Sequence, residues 1–274
     1  MEKIAASWAK YKKLEQEEEF AKKYGPYGTA DLKYTMGKRI INVGPNDYKR
    51  IANGWFSDTL MDILFHWVLK NTLKAEVASK VHIFSTSLST VLKGIMDENP
   101  NVDRRAALAT RKVNIFEKEF VIFPFWDQNH WMLVVVAWPW VYLWDSYQPH
   151  EFNKYTDAIQ RFLLNEAGRR KGQTYGRNVE NLFYAYPPCS QQTNTNDCGI
   201  YVVRMLSETL KKIQTGVPLE SFGEMPDVST HILTRAHFAK LFYRWMRKQN
   251  PSTDGILPQD QIAIERCKRE MQKN

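Results

Sequence analysis

Two runs near the middle of the chain are almost wholly apolar, Trp131 to Ala137 and Val141 to Trp144, and Pro139 lies between them. Their shortness and their β-branched and aromatic content predict two adjacent strands of one hairpin, with the proline in the turn. The stretch from Val113 to Phe125 alternates and then becomes apolar, which predicts a strand feeding that hairpin. A helical repeat stands elsewhere: Leu60, Ile63, Leu64, Trp67 and Val68 predict a core helix over 57–72, with Ser57 or Asp58 as its cap. The same spacing recurs at Phe152, Ile159, Phe162 and Leu163, at Ile200, Val203, Met205, Leu206 and Leu210, and at Ile232, Ala236, Leu241, Phe242 and Trp245. Helices are therefore expected over about 151–166, from about residue 200, and over about 230–248. Asn181 to Tyr186 predicts a last short strand, which Pro187 and Pro188 must end because neither can donate to a ladder. Strands and helices interleave without a regular βαβ alternation, so the expected class is α+β, with a mostly antiparallel central sheet flanked by helices.

The ends read differently. Ile4, Trp8, Tyr11 and Leu14 recur at helical spacing in a charged segment closed by Gly25-Pro26-Tyr27-Gly28, which predicts an amphipathic arm. The chain divides into an N-terminal helical arm, 1–35, a single globular domain, 36–250, and a charged tail, 251–274. With 43% apolar residues the chain is not a disordered one. The net charge of +8 permits acidic partners, but Lys and Arg are scattered among acids and no nucleic-acid-reading motif is present, so no nucleic acid is expected. Cys189, Cys198 and Cys267 are an odd set without scaffold or zinc spacing, which points to a reducing compartment and neither disulfides nor a metal. No phosphate-binding glycine loop occurs, and no cofactor is expected. No leader-like or membrane-length apolar run appears, so the expectation is an intracellular protein without a membrane partner.

Candidate chemistry gathers at three places. Ser190 to Asp197 is polar and turn-prone, and it ends at Cys198 where an apolar helix begins. Unpaired N–H groups and the positive end of the dipole at a helix start favour a thiolate, as a nucleophilic cysteine requires. Gly199 is expected to leave room beside the sulfur for a substrate backbone. His130 opens the first hairpin strand and Asp145 closes the second, so an antiparallel pairing brings imidazole and carboxylate to one edge of the sheet. The carboxylate would fix the tautomer through one ring nitrogen, and the other would take the thiol proton.

His130-Trp131, then Trp144-Asp145-Ser146, then Gln191-Gln192 followed by Asp197-Cys198-Gly199, in that order, resembles the ubiquitin-like-protein-specific cysteine proteases of the Ulp/SENP type, the SUMO proteases and their relatives. Gly54 to Asp58, Val81 to Thr86 and Lys112 to Phe116 add weaker matches, and together the resemblance covers about residues 38–215. It implies the adenain/Ulp-type cysteine protease fold, a catalytic domain over 36–250, and cleavage after the C-terminal Gly-Gly of a ubiquitin-like modifier, SUMO above its relatives. It implies Cys198 as nucleophile, His130 as base, Asp145 as its orienter and Gln192 as oxyanion donor; by chemistry alone Gln191, Asn194 or Asn196 would serve equally. It further implies that Trp55 and Trp131 close over the glycine tail and that Asp58 pairs with a basic residue of the modifier. Phe56-Ser57 and Cys189-Ser190 depart from the family's pattern on the modifier-facing side. The competing readings are a deneddylase or deubiquitinase with the same triad, a non-catalytic ubiquitin-like-binding module, and a cysteine acyltransferase.

Overall fold

The computed structural model describes residues 32–147, 152–218 and 222–249. The expected arm over 2–24 and the tail over 251–274 lie outside them. A hairpin comes first, β1 (Leu32–Met36) and β2 (Arg39–Val43), turning at Gly37, whose φ of +60° suits a residue without Cβ. The helices α1 (Pro45–Asn53), α2 (Asp58–Thr72) and α3 (Ala75–Ala78) lead to β3 (Val81–Ile83). After α4 (Ser87–Met96) and α5 (Val102–Thr110) a 3₁₀ turn precedes β4 (Phe120–Asp127), β5 (His130–Ala137) and β6 (Trp140–Trp144). Then follow α6 (Phe152–Arg169), β7 (Phe183–Ala185), α7 (Cys198–Thr215) and α8 (Arg235–Gln249).

The main sheet has the order β3-β4-β5-β6-β7. Its two long inner pairings are antiparallel, as expected, and its two short outer ones are parallel, so the sheet is mixed rather than purely antiparallel. The reason is connectivity. β4, β5 and β6 follow one another through two-residue turns, whereas β3 and β7 join the sheet through helical crossovers, which return a strand in parallel. Both outer strands are three residues long, too short for their direction to show in a periodic pattern.

All eight residues of β5 are buried, because both faces of the sheet are covered. Trp131, Leu133, Val135 and Ala137 face one core with residues of α2, α7 and α8; Met132, Val134 and Val136 face the other with residues of α4, α5 and α6. The period of two thus divides one continuous apolar run between two cores. The first core also contains Cys198, which puts the candidate nucleophile against the central strand that carries His130. Among the described residues no helix is long and apolar enough to cross a membrane.

Candidate active site

The turn between β4 and β5 consists of Gln128 and Asn129, both left-handed at φ +47° and +62°, with Asp127 paired to His130 across it. Two consecutive positive φ values define the hairpin turn that matches strand twist, and they fix the register in which His130 opens β5. Asp127 is buried and holds this corner: its carboxylate accepts from the Tyr155 hydroxyl at 3.0 Å and from Lys154 at 3.1 Å. In the next hairpin Leu133 pairs with Trp144, so Asp145, one residue beyond, lies towards the start of β5. His130 Nε2 donates to Asp145 Oδ1 at 2.5 Å, with both side chains buried. The hairpin expectation is met, and Nε2 is the nitrogen that takes the carboxylate.

That leaves Nδ1 for the thiol. Burial pushes the His130 imidazole towards its neutral form, but the hydrogen bonds to Asp145 and Cys198 and the charges of both outweigh it, and its pKa is raised to about 9. An imidazolium so held at neutral pH is the partner a thiolate needs. Cys198 is fully buried and is the first residue of α7. Asp197 occupies the capping position, yet its side chain makes no cap hydrogen bond. Arg235 and Asn194 Nδ2 take its two oxygens instead, at 2.8 and 2.9 Å, so the helix start is left to the sulfur.

Gly199 serves packing rather than substrate access. A Cβ there would lie 2.9 Å from Phe56 Cβ and 3.2 Å from Met61 Sδ, so the missing side chain lets α7 close on the start of α2. Gly199→Ala is expected to destabilise the fold by about 1–3 kcal/mol through overpacking. A fall in Tm on thermal unfolding checks this; an unchanged Tm would mean that the helices part without cost.

Gln192 is buried beside the same edge. Its backbone N–H donates to Ser146 O at 2.8 Å, and its side-chain amide is bonded at both ends, to the Ser146 hydroxyl and the Asn194 carbonyl. Cys189 Sγ and Gln191 Nε2 each donate to Asp145 O at 3.0 Å, strapping the 189–192 loop to the end of β6. Burial pushes the Cys189 thiol up to about 11, so it stays protonated at neutral pH. Cys189→Ala is therefore expected to leave covalent labelling by a thiol-reactive modifier probe unchanged; loss of labelling would make Cys189 the reacting thiol.

Trp55, Trp131 and Asp58 line one cleft of about 780 Å³ that reaches Asn129, next to His130. The two rings differ in setting. Trp55 is half exposed at the lip and donates from Nε1 to Thr195 O at 2.7 Å, whereas Trp131 is buried as the floor and donates to Phe56 O at 3.0 Å. Ser57, not Asp58, caps α2: its hydroxyl accepts from the Leu60 N–H. Asp58 is thereby left to the cleft, where burial lifts its carboxyl above the ordinary range and the Arg50 charge opposes this. Among the described residues no three His, Cys, Asp or Glu side chains converge as metal ligands would.

Arg235 escaped the sequence analysis. From the first residue of α8 its guanidinium binds the carbonyls of Arg50, Ile51, Gly54 and Asn196 and the Asp197 carboxylate, joining the segment that carries Trp55 to the loop that carries Cys198. An arginine on a helix predicted for its apolar stripe gave no local signal of this.

A cysteine at a helix start beside a hydrogen-bonded His–Asp pair is the arrangement that cysteine proteases use. The fold matches that of a C-terminal Ulp1 protease domain solved in complex with Smt3, the yeast ortholog of SUMO, at a TM-score of 0.58 and 18% identity, covering 84% of this chain and 95% of that one. It matches a de-sumoylating protease with the same TM-score at 17% identity, covering 81% and 86%. The chain belongs to the Ulp1 protease family: residues 54–248 match its C-terminal catalytic domain. Among curated relatives, rat sentrin-specific protease 7 is 27% identical over 112 residues, 37% of this chain and 11% of the relative. Mouse sentrin-specific protease 6 is 31% identical over 109 residues, 36% and 10%. Ubiquitin-like-specific protease 2 of Schizosaccharomyces pombe is 23% identical over 216 residues, 62% and 33%. The chain spans about a tenth of the length of the two sentrin-specific relatives.

Proposed function

We propose that the chain is a thiol protease and isopeptidase that cleaves after the C-terminal Gly-Gly of a ubiquitin-like modifier, with SUMO preferred. The observation that carries this is the 2.5 Å bond between His130 and Asp145 beside a cysteine at an uncapped helix start. The Cys198 thiolate attacks the carbonyl of the last glycine, and the negative charge that develops on oxygen is met by the Cys198 backbone N–H and the Gln192 amide. The tetrahedral intermediate collapses as the His130 imidazolium gives its proton to the leaving lysine amine. Water, deprotonated by His130, then resolves the thioester.

Trp55 at the lip and Trp131 in the floor suit a flat tail without side chains, which is a steric filter shared by every Gly-Gly modifier. Discrimination among them falls to the rest of the docked surface, on the order of 800 Å² per partner for a stable complex, and to Asp58 in the cleft. SUMO is favoured because two of the relatives named above are sentrin-specific proteases, and the two solved structures are a de-sumoylating protease and a protease domain in complex with Smt3. The intact set of Cys198, His130, Asp145 and Gln192 speaks against a purely binding module.

Incubation with C-terminally derivatised SUMO, Nedd-type and ubiquitin probes tests the proposal. Covalent capture is expected, fastest with SUMO. No capture by any probe would overturn the protease reading, and a ranking led by ubiquitin would overturn the preference. Asp58→Ala is expected to alter the ranking, and an unchanged order would remove Asp58 from recognition. Trp131→Ala should slow all three probes, but it also truncates a buried ring at a cost of about 3–5 kcal/mol. Trp55→Ala, at the exposed lip, is the cleaner variant for the tail filter.

A further inference from the structure

We infer that Ser146 is a positioning residue for the oxyanion donor, anchoring the oxygen end of the Gln192 amide while the Asn194 carbonyl decides which end is nitrogen, so that the nitrogen is presented to the reacting carbonyl; this rests on the role proposed for Gln192 above. The two ends of a primary amide have the same shape, but only the nitrogen donates. A flip would set an oxygen against the developing negative charge. Gln192 Nε2 lies 2.6 Å from the Asn194 carbonyl oxygen, which can only accept, so the nitrogen must be on that side. Oε1 then faces the Ser146 hydroxyl at 2.8 Å, and the serine, which by itself could donate or accept, is made the donor. One Nε2 hydrogen goes to Asn194, and the second is left for the substrate oxygen.

Burial gives this bond its weight. Ser146 is fully buried and Gln192 nearly so, and a lost partner there is not readily replaced by solvent. Ser146 also holds the main chain of the same residue, its carbonyl accepting the Gln192 N–H at 2.8 Å. Two consecutive residues at the end of β6 thus serve different parts of the reaction, Asp145 setting the base and Ser146 setting the donor.

The test combines a double-mutant cycle with two reactions of the same thiol. Hydrolysis of a SUMO–aminomethylcoumarin conjugate passes through an oxyanion; alkylation of Cys198 by iodoacetamide does not. Gln192→Ala is expected to lower kcat by about 10²–10³-fold. Ser146→Ala should lower it by about 10-fold with KM unchanged, and by less than about 2-fold when added to Gln192→Ala. Neither change should slow alkylation, which also reports that the site is folded. Ser146→Cys keeps a weaker donor of similar size, should fall between serine and alanine, and serves if the alanine variant does not fold. Hydrolysis at the parent rate by Ser146→Ala, the same loss in both backgrounds, or alkylation slowed in parallel would each overturn the inference. Parent-rate hydrolysis by Gln192→Ala would instead overturn the role of Gln192.

Discussion

Cys198→Ser is expected to abolish turnover, by at least about 10³-fold in kcat, while modifier binding stays within a factor of a few. In the proposed mechanism the nucleophile attacks as a thiolate whose proton the imidazolium beside it holds, and the His130 pKa of about 9 favours that imidazolium. A serine hydroxyl stays protonated at neutral pH and must pass its proton on during attack. It would pass it to an imidazole that the Asp145 bond still biases towards the charged form, so the base is occupied when it is needed. The volume at this fully buried position hardly changes, so the fold and the cleft should persist. Single-turnover cleavage and equilibrium binding, measured together, check this. Substantial hydrolysis by the serine variant would remove Cys198 from the mechanism.

Asp145→Asn is expected to lower kcat by about 10²–10⁴-fold with little change in affinity, since the carboxylate orients and charges the imidazole without touching substrate. His130→Ala should cost at least as much. The asparagine variant carries a pH signature. Without the carboxylate, burial of His130 is opposed only by Cys198, so the imidazole pKa must fall from about 9 and the alkaline limb of the rate profile must move to lower pH. Stability follows with a definite sign. A histidine whose pKa is raised on folding contributes stability that is fully present below its unfolded value, near 6.5, and is lost as pH rises through about 9. The difference in stability between parent and Asp145→Asn should therefore be larger at pH 6 than at pH 10. An unaltered rate, or an alkaline limb that stays in place, would show that the His130–Asp145 bond does not govern the chemistry.

Local pattern determined much of this protein. The apolar run from Trp131 to Ala137 could only be a covered strand, and the antiparallel return through Pro139 was enough to bring His130 and Asp145 to one edge. The polar loop before Cys198 and the stripe after it marked a helix start, since both signals lie within a few residues of the sulfur. Periodicity reports what a residue's neighbours along the chain do, and these features are neighbours along the chain. What the sequence left open involves partners far away in it. The direction of β3 and β7 depends on helices that cross the sheet, and the 32–43 hairpin went unpredicted because its strands are short and β2 is largely exposed. Gly199 read as space for substrate until α2 filled that space with Phe56 and Met61, and Trp131 read as a lid until both faces of β5 proved to be covered. Ser146 and Gln192 stand 46 residues apart, and Arg235 reaches back more than 180 residues to the Trp55 segment. The Asn194 carbonyl turns the Gln192 amide locally, but the buried serine that anchors its other end and the arginine that draws the Asp197 carboxylate off its own helix come from far along the chain, and their geometry exists only once the chain has closed upon itself.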